Sequence, residues 1–222
     1  MSASRLPSAE RDLEEWFNSG THAVGLVLSV VAAPLLVLRA LETANQGAFL
    51  GALIFGLSLV LLYGASTAYH FVEHPRAKAW MQFVDHACIF LLIAGSYTPF
   101  ALVVLPQPWA DGFLIAAWSI AVVGVGFKAF FVGRFTMLSN ILYLGMGWMA
   151  VIGWEPLRAS LPEGGLTWVL LGGAFYTLGI AFYVFDRRVR YFHAVWHLFV
   201  LAGSAAHFVA VYRYVLPSAA AA

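Results

Sequence analysis

Two histidines lie four residues apart near the end of the chain, at His193 and His197. On an α-helix their side chains would share one face, about 40° apart in rotation and about 6 Å apart at their Cβ atoms. Two neutral imidazoles in this arrangement chelate one divalent cation, and a third ligand then has to come from another helix. Histidines in membrane helices also form interhelical hydrogen bonds, so the spacing alone leaves both interpretations open.

A further histidine and a carboxylate stand in apolar sequence elsewhere in the chain. His70 lies near the end of one apolar segment, and Asp85 lies near the start of the next. Ionisable side chains in such segments are costly to place in a membrane and mark functional sites. His70 is the predicted third ligand, because three histidines and one open position form a catalytic zinc site. Cys88, one turn beyond Asp85, is interpreted as core packing.

Other polar residues receive structural interpretations. His207 lies about 15 Å further along its helix than the histidine pair, too far to share an ion, and is predicted to form an interhelical hydrogen bond. Glu15, Asn18 and His22 stand at the start of the first apolar segment, and we expect them to anchor the N-terminus against the site or to cap the first helix. His74 precedes a proline between two segments and is expected to be solvated.

The composition identifies the class of protein that must hold these residues. Hydrophobic residues make up 62% of the 222, the mean hydropathy is +0.82, and charged residues make up 10%, against about 25% in a soluble domain. This excludes a cytosolic enzyme, a nucleic-acid binder and a disordered chain. The chain is therefore predicted to be an integral membrane protein, and its single cysteine excludes an intrachain disulfide.

Seven apolar segments are each long enough to cross a bilayer. The predicted fold is an all-α bundle of seven transmembrane helices in one domain, preceded by a short segment 1–21 and followed by a tail 216–222. The predicted spans, which together form the domain 22–215, are 22–41, 47–70, 80–104, 111–131, 135–154, 166–185 and 193–215.

The positions of lysine and arginine predict the orientation, because cytoplasmic loops carry an excess of both. Nine of the twelve lie on the side of the N-terminus, namely Arg5, Arg11, Arg76, Lys78, Lys128, Arg134, Arg187, Arg188 and Arg190. The N-terminus is therefore expected in the cytoplasm and the C-terminus outside. This orientation also brings the chemically capable residues into one layer near the cytoplasmic face, namely His22, Ser66, His70, Asp85, His86, His193 and His197.

Four motifs together resemble the hemolysin III family, the bacterial branch of the progestin and adiponectin receptor superfamily. The resemblance covers essentially the whole chain, in the right order. The motifs are Glu15-x2-Asn18-x2-Thr21-His22, Ser66-x3-His70, Asp85 ahead of Ala94-Gly95-Ser96, and His193-x3-His197. The resemblance implies a seven-helix protein of the bacterial inner membrane with a cytoplasmic N-terminus.

The same resemblance implies a zinc ion held by His70, His193 and His197. It implies that Asp85 holds the water on that ion and that Ser66 is a polar neighbour of the site. The superfamily is also similar to alkaline ceramidases, which hydrolyse lipid amides. Ala194 stands where related proteins often have Gln or Glu, and the long cytoplasmic head of the animal receptors is absent, so hormone reception is not carried over.

The leading functional hypothesis is zinc-dependent hydrolysis of a lipid amide or ester that enters from the inner leaflet. In it Asp85 accepts and returns a proton, and Ser66 donates a hydrogen bond to the developing oxyanion. One alternative is a membrane sensor or regulator with a structural zinc and no chemistry. Another is a pore-forming cytolysin, disfavoured because no span carries a repeated polar stripe. A retinal protein is excluded, because the last span contains no lysine. The expected partners are membrane lipids.

Overall fold

The computed structural model describes residues 8–131 and 134–218. Within these ranges all regular secondary structure is helical, and no strand is present. The predicted all-α class is thereby confirmed. A 3₁₀ turn at Trp148–Val151 precedes α6, and a π-helical turn at Val211–Val215 extends α8. The helices of the described ranges are α1 (Ser8–Leu41), α2 (Gln46–Phe71), α3 (Pro75–Val103), α4 (Trp109–Phe131), α5 (Thr136–Gly147), α6 (Trp154–Ser160), α7 (Glu163–Phe185), α8 (Phe192–Ala210) and α9 (Leu216–Ser218).

Six of these helices are long and apolar enough to cross a membrane alone, and a seventh passage is a broken pair. The α5 segment with its 3₁₀ turn and the α6 segment together meet the same criterion, with a bend of 56° between them. The predicted fifth span, 135–154, is thus interrupted. Its polypeptide bends where Gly147 and Gly153 flank the 3₁₀ turn, and glycine is a poor helix former.

Contacts along the bundle show that this broken pair runs from one end of the molecule to the other. The Tyr143 hydroxyl of α5 donates to the His86 carbonyl near the start of α3, at 2.9 Å. Further along both helices, the Tyr97 hydroxyl donates to the Gly147 carbonyl at 2.7 Å. The α5 helix therefore runs parallel to α3, and the described ranges contain six single-helix spans, or seven if the broken pair is one span.

The three helices with the most buried faces are α2, α3 and α8, and all the predicted site residues lie on them. Glycine allows α2 to cross α3 closely. A Cβ on Gly51 would lie 2.7 Å from the Pro99 Cα, and one on Gly95 would lie 2.5 Å from the Ser58 Oγ. Small residues let membrane helices approach in this way.

The first helix begins earlier than predicted. It starts at Ser8 rather than near residue 22, so residues 8–21 are continuous with the first span. The expectation that Glu15, Asn18 and His22 cap this helix is wrong, because all three lie inside it, where the backbone groups are already paired. Their side chains can therefore contact groups in the interior of the bundle. Which end of the bundle faces the cytoplasm stays a prediction of the charge distribution.

Candidate metal centre

The structure brings the three predicted metal ligands together. One ring nitrogen from each of His70, His193 and His197 lies within 4.8 Å of the others. The ring centroids are 4.7 to 5.1 Å apart, and the His197 side chain is fully buried. His70 comes from the last turn of α2, and the other two come from the first two turns of α8. The prediction that these residues converge is confirmed.

Two of the rings are held by carboxylates through their Nδ1 atoms. The Nδ1 atom of His70 lies 2.6 Å from a carboxylate oxygen of Glu15, and the other oxygen of Glu15 accepts from Lys78 at 3.2 Å. The Nδ1 atom of His193 lies 2.8 Å from a carboxylate oxygen of Asp186, at the end of α7. A carboxylate that accepts from Nδ1 fixes the tautomer, so Nε2 carries the lone pair.

The third ring is held by the first helix. The Nδ1 atom of His197 lies 3.1 Å from the Asn18 carbonyl and 3.1 Å from the Thr21 hydroxyl. Since a carbonyl oxygen only accepts, His197 donates from Nδ1 to it, and its Nε2 is left as an acceptor. All three imidazoles therefore have the second partner that metal-binding histidines require.

Two of the remaining ring nitrogens are buried and lack any partner. Among the described residues, no hydrogen bond reaches the Nε2 atoms of His70 or His197. A buried polar atom without a partner costs roughly 1–3 kcal/mol. A cation bound by the three imidazoles would satisfy both atoms. The donor set of three neutral nitrogens fits zinc, because Zn²⁺ is commonly held by three histidines with one further position open.

A buried carboxylate and a hydroxyl lie beside the histidine cluster without belonging to it. Asp85 and Ser66 are almost wholly buried, and the Ser66 hydroxyl interacts with the Asp85 carboxylate. Within the described ranges, the group of mutually close ligand atoms comprises the three histidines and leaves Asp85 out. Asp85 nevertheless lines the same cavity as His70 and His193. It is therefore placed to act on a molecule in the cavity.

The cavity has a volume of about 480 Å³ and lies at the end of the bundle where α1 and α8 begin. Charged groups and apolar groups share its lining. The residues used below are Glu14, Glu15, Asn18, Ile89, Met137, Asn140, Tyr183 and Trp196. Met137, in the first turn of α5, lines the cavity, and its side chain is largely exposed.

A family model described as "Haemolysin-III related" matches residues 11–208 of the chain. The chain belongs to the hemolysin III family. It is 41% identical to a Hemolysin-3 homolog of Bacillus subtilis over 201 residues, covering 90% of this chain and 94% of the relative. It is 39% identical to Hemolysin-3 of Bacillus cereus over 206 residues, covering 93% and 94%. The predicted family is confirmed.

A more distant similarity extends the hemolysin III assignment to the superfamily. The chain is 27% identical to the human monocyte to macrophage differentiation factor over 206 residues, covering 90% of this chain and 84% of the relative. The family and the apolar helices make the chain a multi-pass membrane protein, and its bacterial relatives support the inner membrane.

A fourth histidine of this hemolysin III protein touches the cluster from the side. The His22 ring stacks on the His197 ring, with centroids 3.5 Å apart and planes 19° apart, and its edge meets Tyr63. Neither ring nitrogen of His22 has a hydrogen-bond partner among the described residues. His22 therefore supports the flat face of a predicted ligand.

His86 lines the cavity, with its Nδ1 2.7 Å from the Gln82 carbonyl. His207, His74 and the cysteine lie outside the site. The His207 ring packs against Gly172 and Tyr176 on α7. It lies beside the Val169 carbonyl without forming a hydrogen bond of normal geometry among the described residues. The interhelical bond predicted for it is therefore not formed in standard geometry. Cys88 is buried in the core and His74 is exposed, as expected.

Sequence reasoning missed several residues around the cluster. Asp186 follows α7 in the turn before α8, seven residues ahead of His193, and a carboxylate so close in sequence to a predicted ligand was the available signal. Lys78 served only as a positive charge in a loop. Asn140 is a buried polar residue of α5 that lines the cavity, and an amide in an apolar segment was the available signal.

Proposed function

We propose that this hemolysin III protein is a zinc-dependent hydrolase that cleaves an amide or ester bond of a membrane lipid. The observation that carries the proposal is the arrangement of the cavity wall. His70 and His193 line the cavity beside Asp85, a buried carboxylate outside the ligand group, and His197 completes the cluster with a buried, unpartnered Nε2. An open position next to the ligands distinguishes catalytic from structural zinc sites.

A bound zinc and the side chains of Asp85 and Ser66 have separate roles in the proposed hydrolysis. When bound, zinc supplies a Lewis acid that polarises a carbonyl and activates water at neutral pH. Asp85 accepts the proton of the attacking water at a carboxylate oxygen and returns it to the leaving amine or alcohol. Ser66, which interacts with that carboxylate, orients it.

The lining of the cavity supports an amphipathic substrate. The carboxylates of Glu14 and Glu15 and the Asn140 amide suit a polar head group, and Ile89 and Trp196 suit a hydrocarbon chain. A free fatty acid would be one product of either an amide or an ester substrate.

The metal is tested first. Protein purified without chelator is expected to contain about one zinc per chain by elemental analysis, since three histidine ligands define one site. The change of His70→Ala is expected to abolish this zinc. His207→Ala is the matched control, because His207 is a buried histidine of α8 outside the cluster, and its zinc content is expected to stay unchanged.

Turnover is tested separately. The purified protein is incubated with long-chain ceramides, N-acyl amines and phospholipids in mixed micelles, and released fatty acid is measured with zinc present and after its removal by chelation. Zinc-dependent release supports the hydrolase. Full zinc binding with no release from any of these lipids, together with a large loss of thermal stability on chelation, would favour the structural zinc instead.

A further inference from the structure

The first helix holds two of the three predicted ligands. A carboxylate oxygen of Glu15 lies 2.6 Å from His70 Nδ1, and the Asn18 carbonyl lies 3.1 Å from His197 Nδ1. These two residues are three apart, so they lie on one face of α1. The face of α1 that packs into the bundle therefore supplies hydrogen-bond partners to two predicted ligands, which lie on α2 and α8.

We propose that Glu15 is a positioning residue of the metal centre and that it couples metal binding to the docking of α1. Its carboxylate fixes the His70 ring with Nε2 towards the cavity. The inference rests on the proposed metal site and adds a role for a residue outside the ligand set. Carboxylates that hold a ligand imidazole in this way raise its basicity as well as fixing its orientation.

The Glu15 carboxylate is itself held from two sides. One oxygen faces His70, and the other accepts from the Lys78 ammonium at the start of α3, at 3.2 Å. The His70 side chain is 4% exposed, whereas that of Glu15 is 40% exposed. The contact therefore links a buried ring to a carboxylate at the boundary of the bundle, and three helices meet at this one side chain.

Polar contacts dominate the attachment of this part of α1. The apolar side chains of Leu13, Trp16 and Phe17 are each more than half exposed. The neighbouring carboxylate of Glu14 accepts from the Tyr191 backbone N–H at 2.8 Å. An ion that restrains the His70 ring therefore also restrains Glu15, and the ordering of α1 and the binding of the ion strengthen each other.

Three full-length variants in detergent test the proposal. Glu15→Ala removes both the acceptor and the charge, and Glu15→Gln keeps an acceptor of the same shape while removing the charge. Glu14→Gln is the matched control, because Glu14 contacts a backbone amide and no ring. Zinc affinity is measured by competition with a chromophoric chelator, and the ligand geometry is checked from the visible spectrum of the cobalt-substituted protein.

We expect Glu15→Ala to weaken zinc binding by about 10–100-fold, Glu15→Gln to weaken it less, and Glu14→Gln to leave it within twofold of the unaltered protein. Zinc is expected to slow amide hydrogen exchange over residues 15–21 in the unaltered protein and to lose this effect in Glu15→Ala. A purely structural role for Glu15 would lower thermal stability equally with and without zinc and leave both readouts unchanged.

Zinc affinity of either Glu15 variant within twofold of the unaltered protein would overturn the proposal. Because Glu15→Gln keeps the size and the acceptor of the side chain, it decides the question if Glu15→Ala fails to fold. If the metal site itself is wrong, the result is different, because His70→Ala would then show the same zinc binding as the unaltered protein.

Discussion

At the scale of single residues, the position of the Asp85 carboxylate distinguishes a catalytic zinc from a structural one. A structural zinc needs a fourth protein ligand. Asp85 is the buried carboxylate that lines the same cavity as the histidines. In the described ranges Asp85 stands outside the group of close ligand atoms but lines the same cavity. The geometry thus gives Asp85 access to the cavity, while the three histidines form the cluster that could hold an ion.

This geometry makes a prediction for Asp85→Asn, which keeps the shape of the side chain and removes its basicity. Zinc content and affinity are expected to stay within about threefold of the unaltered protein, while lipid hydrolysis falls by about 10²–10⁴-fold, the contribution typical of a general base. Chelator competition and fatty-acid release measure the two quantities. Loss of zinc in this variant would make Asp85 a ligand and favour the structural account.

The ligands were predictable from the sequence, but the groups that orient them were not. The four-residue spacing of His193 and His197 survives in any helix, so their shared face follows from local geometry alone. The contact between Glu15 and His70 joins residues 55 positions apart. Such a pair depends on how α1 lies across α2, and no period in the sequence encodes that crossing.

At the scale of helices, close crossings place the site. The Gly51 position of α2 meets the backbone of α3 at Pro99, where an added Cβ would lie 2.7 Å from the Pro99 Cα. Backbone atoms cannot move aside as the end of a flexible side chain can. The crossing of α2 over α3 fixes the relation between the helix that carries Ser66 and His70 and the helix that carries Asp85.

We therefore expect Gly51→Ala to destabilise the protein by about 1–3 kcal/mol, the usual cost of overpacking a tight contact. Gly126→Ala is the matched control, because a Cβ there meets nothing within 4 Å. This change is expected to be neutral or to stabilise α4 by up to about 1 kcal/mol. Thermal unfolding in detergent measures both variants, and equal stabilities would contradict the assigned contact.

The boundaries of most spans followed from hydropathy, and the exceptions have physical reasons. The predicted segment 47–70 corresponds to α2 at Gln46–Phe71, because apolar composition begins and ends with the helix there. The first helix begins at Ser8. Its early turns carry polar residues that contact the histidine cluster, and a hydropathy pattern does not detect polar helical turns. The bend in the fifth span arises within a continuous apolar run, which gives no hydropathy signal.

At the scale of the whole molecule, the structure fixes which groups share an end of the bundle. The start of α1 and the start of α8 lie together, and the hydrogen bond between Glu14 and Tyr191 joins them directly. The metal centre lies at this same end. The excess of lysine and arginine at this end predicts that it faces the cytoplasm, so the site would draw its substrate from the inner leaflet.

Cysteine labelling in intact cells tests this orientation, since the only native cysteine, Cys88, is buried and is expected to give little background. His74→Cys places a thiol in the exposed loop between α2 and α3, and Gln107→Cys places one in the exposed loop between α3 and α4. A membrane-impermeant maleimide is expected to label position 107 in intact cells and position 74 only after permeabilisation, because one passage separates the loops. The reverse pattern would place the metal centre at the outer face and would require a substrate from the outer leaflet or from outside the cell.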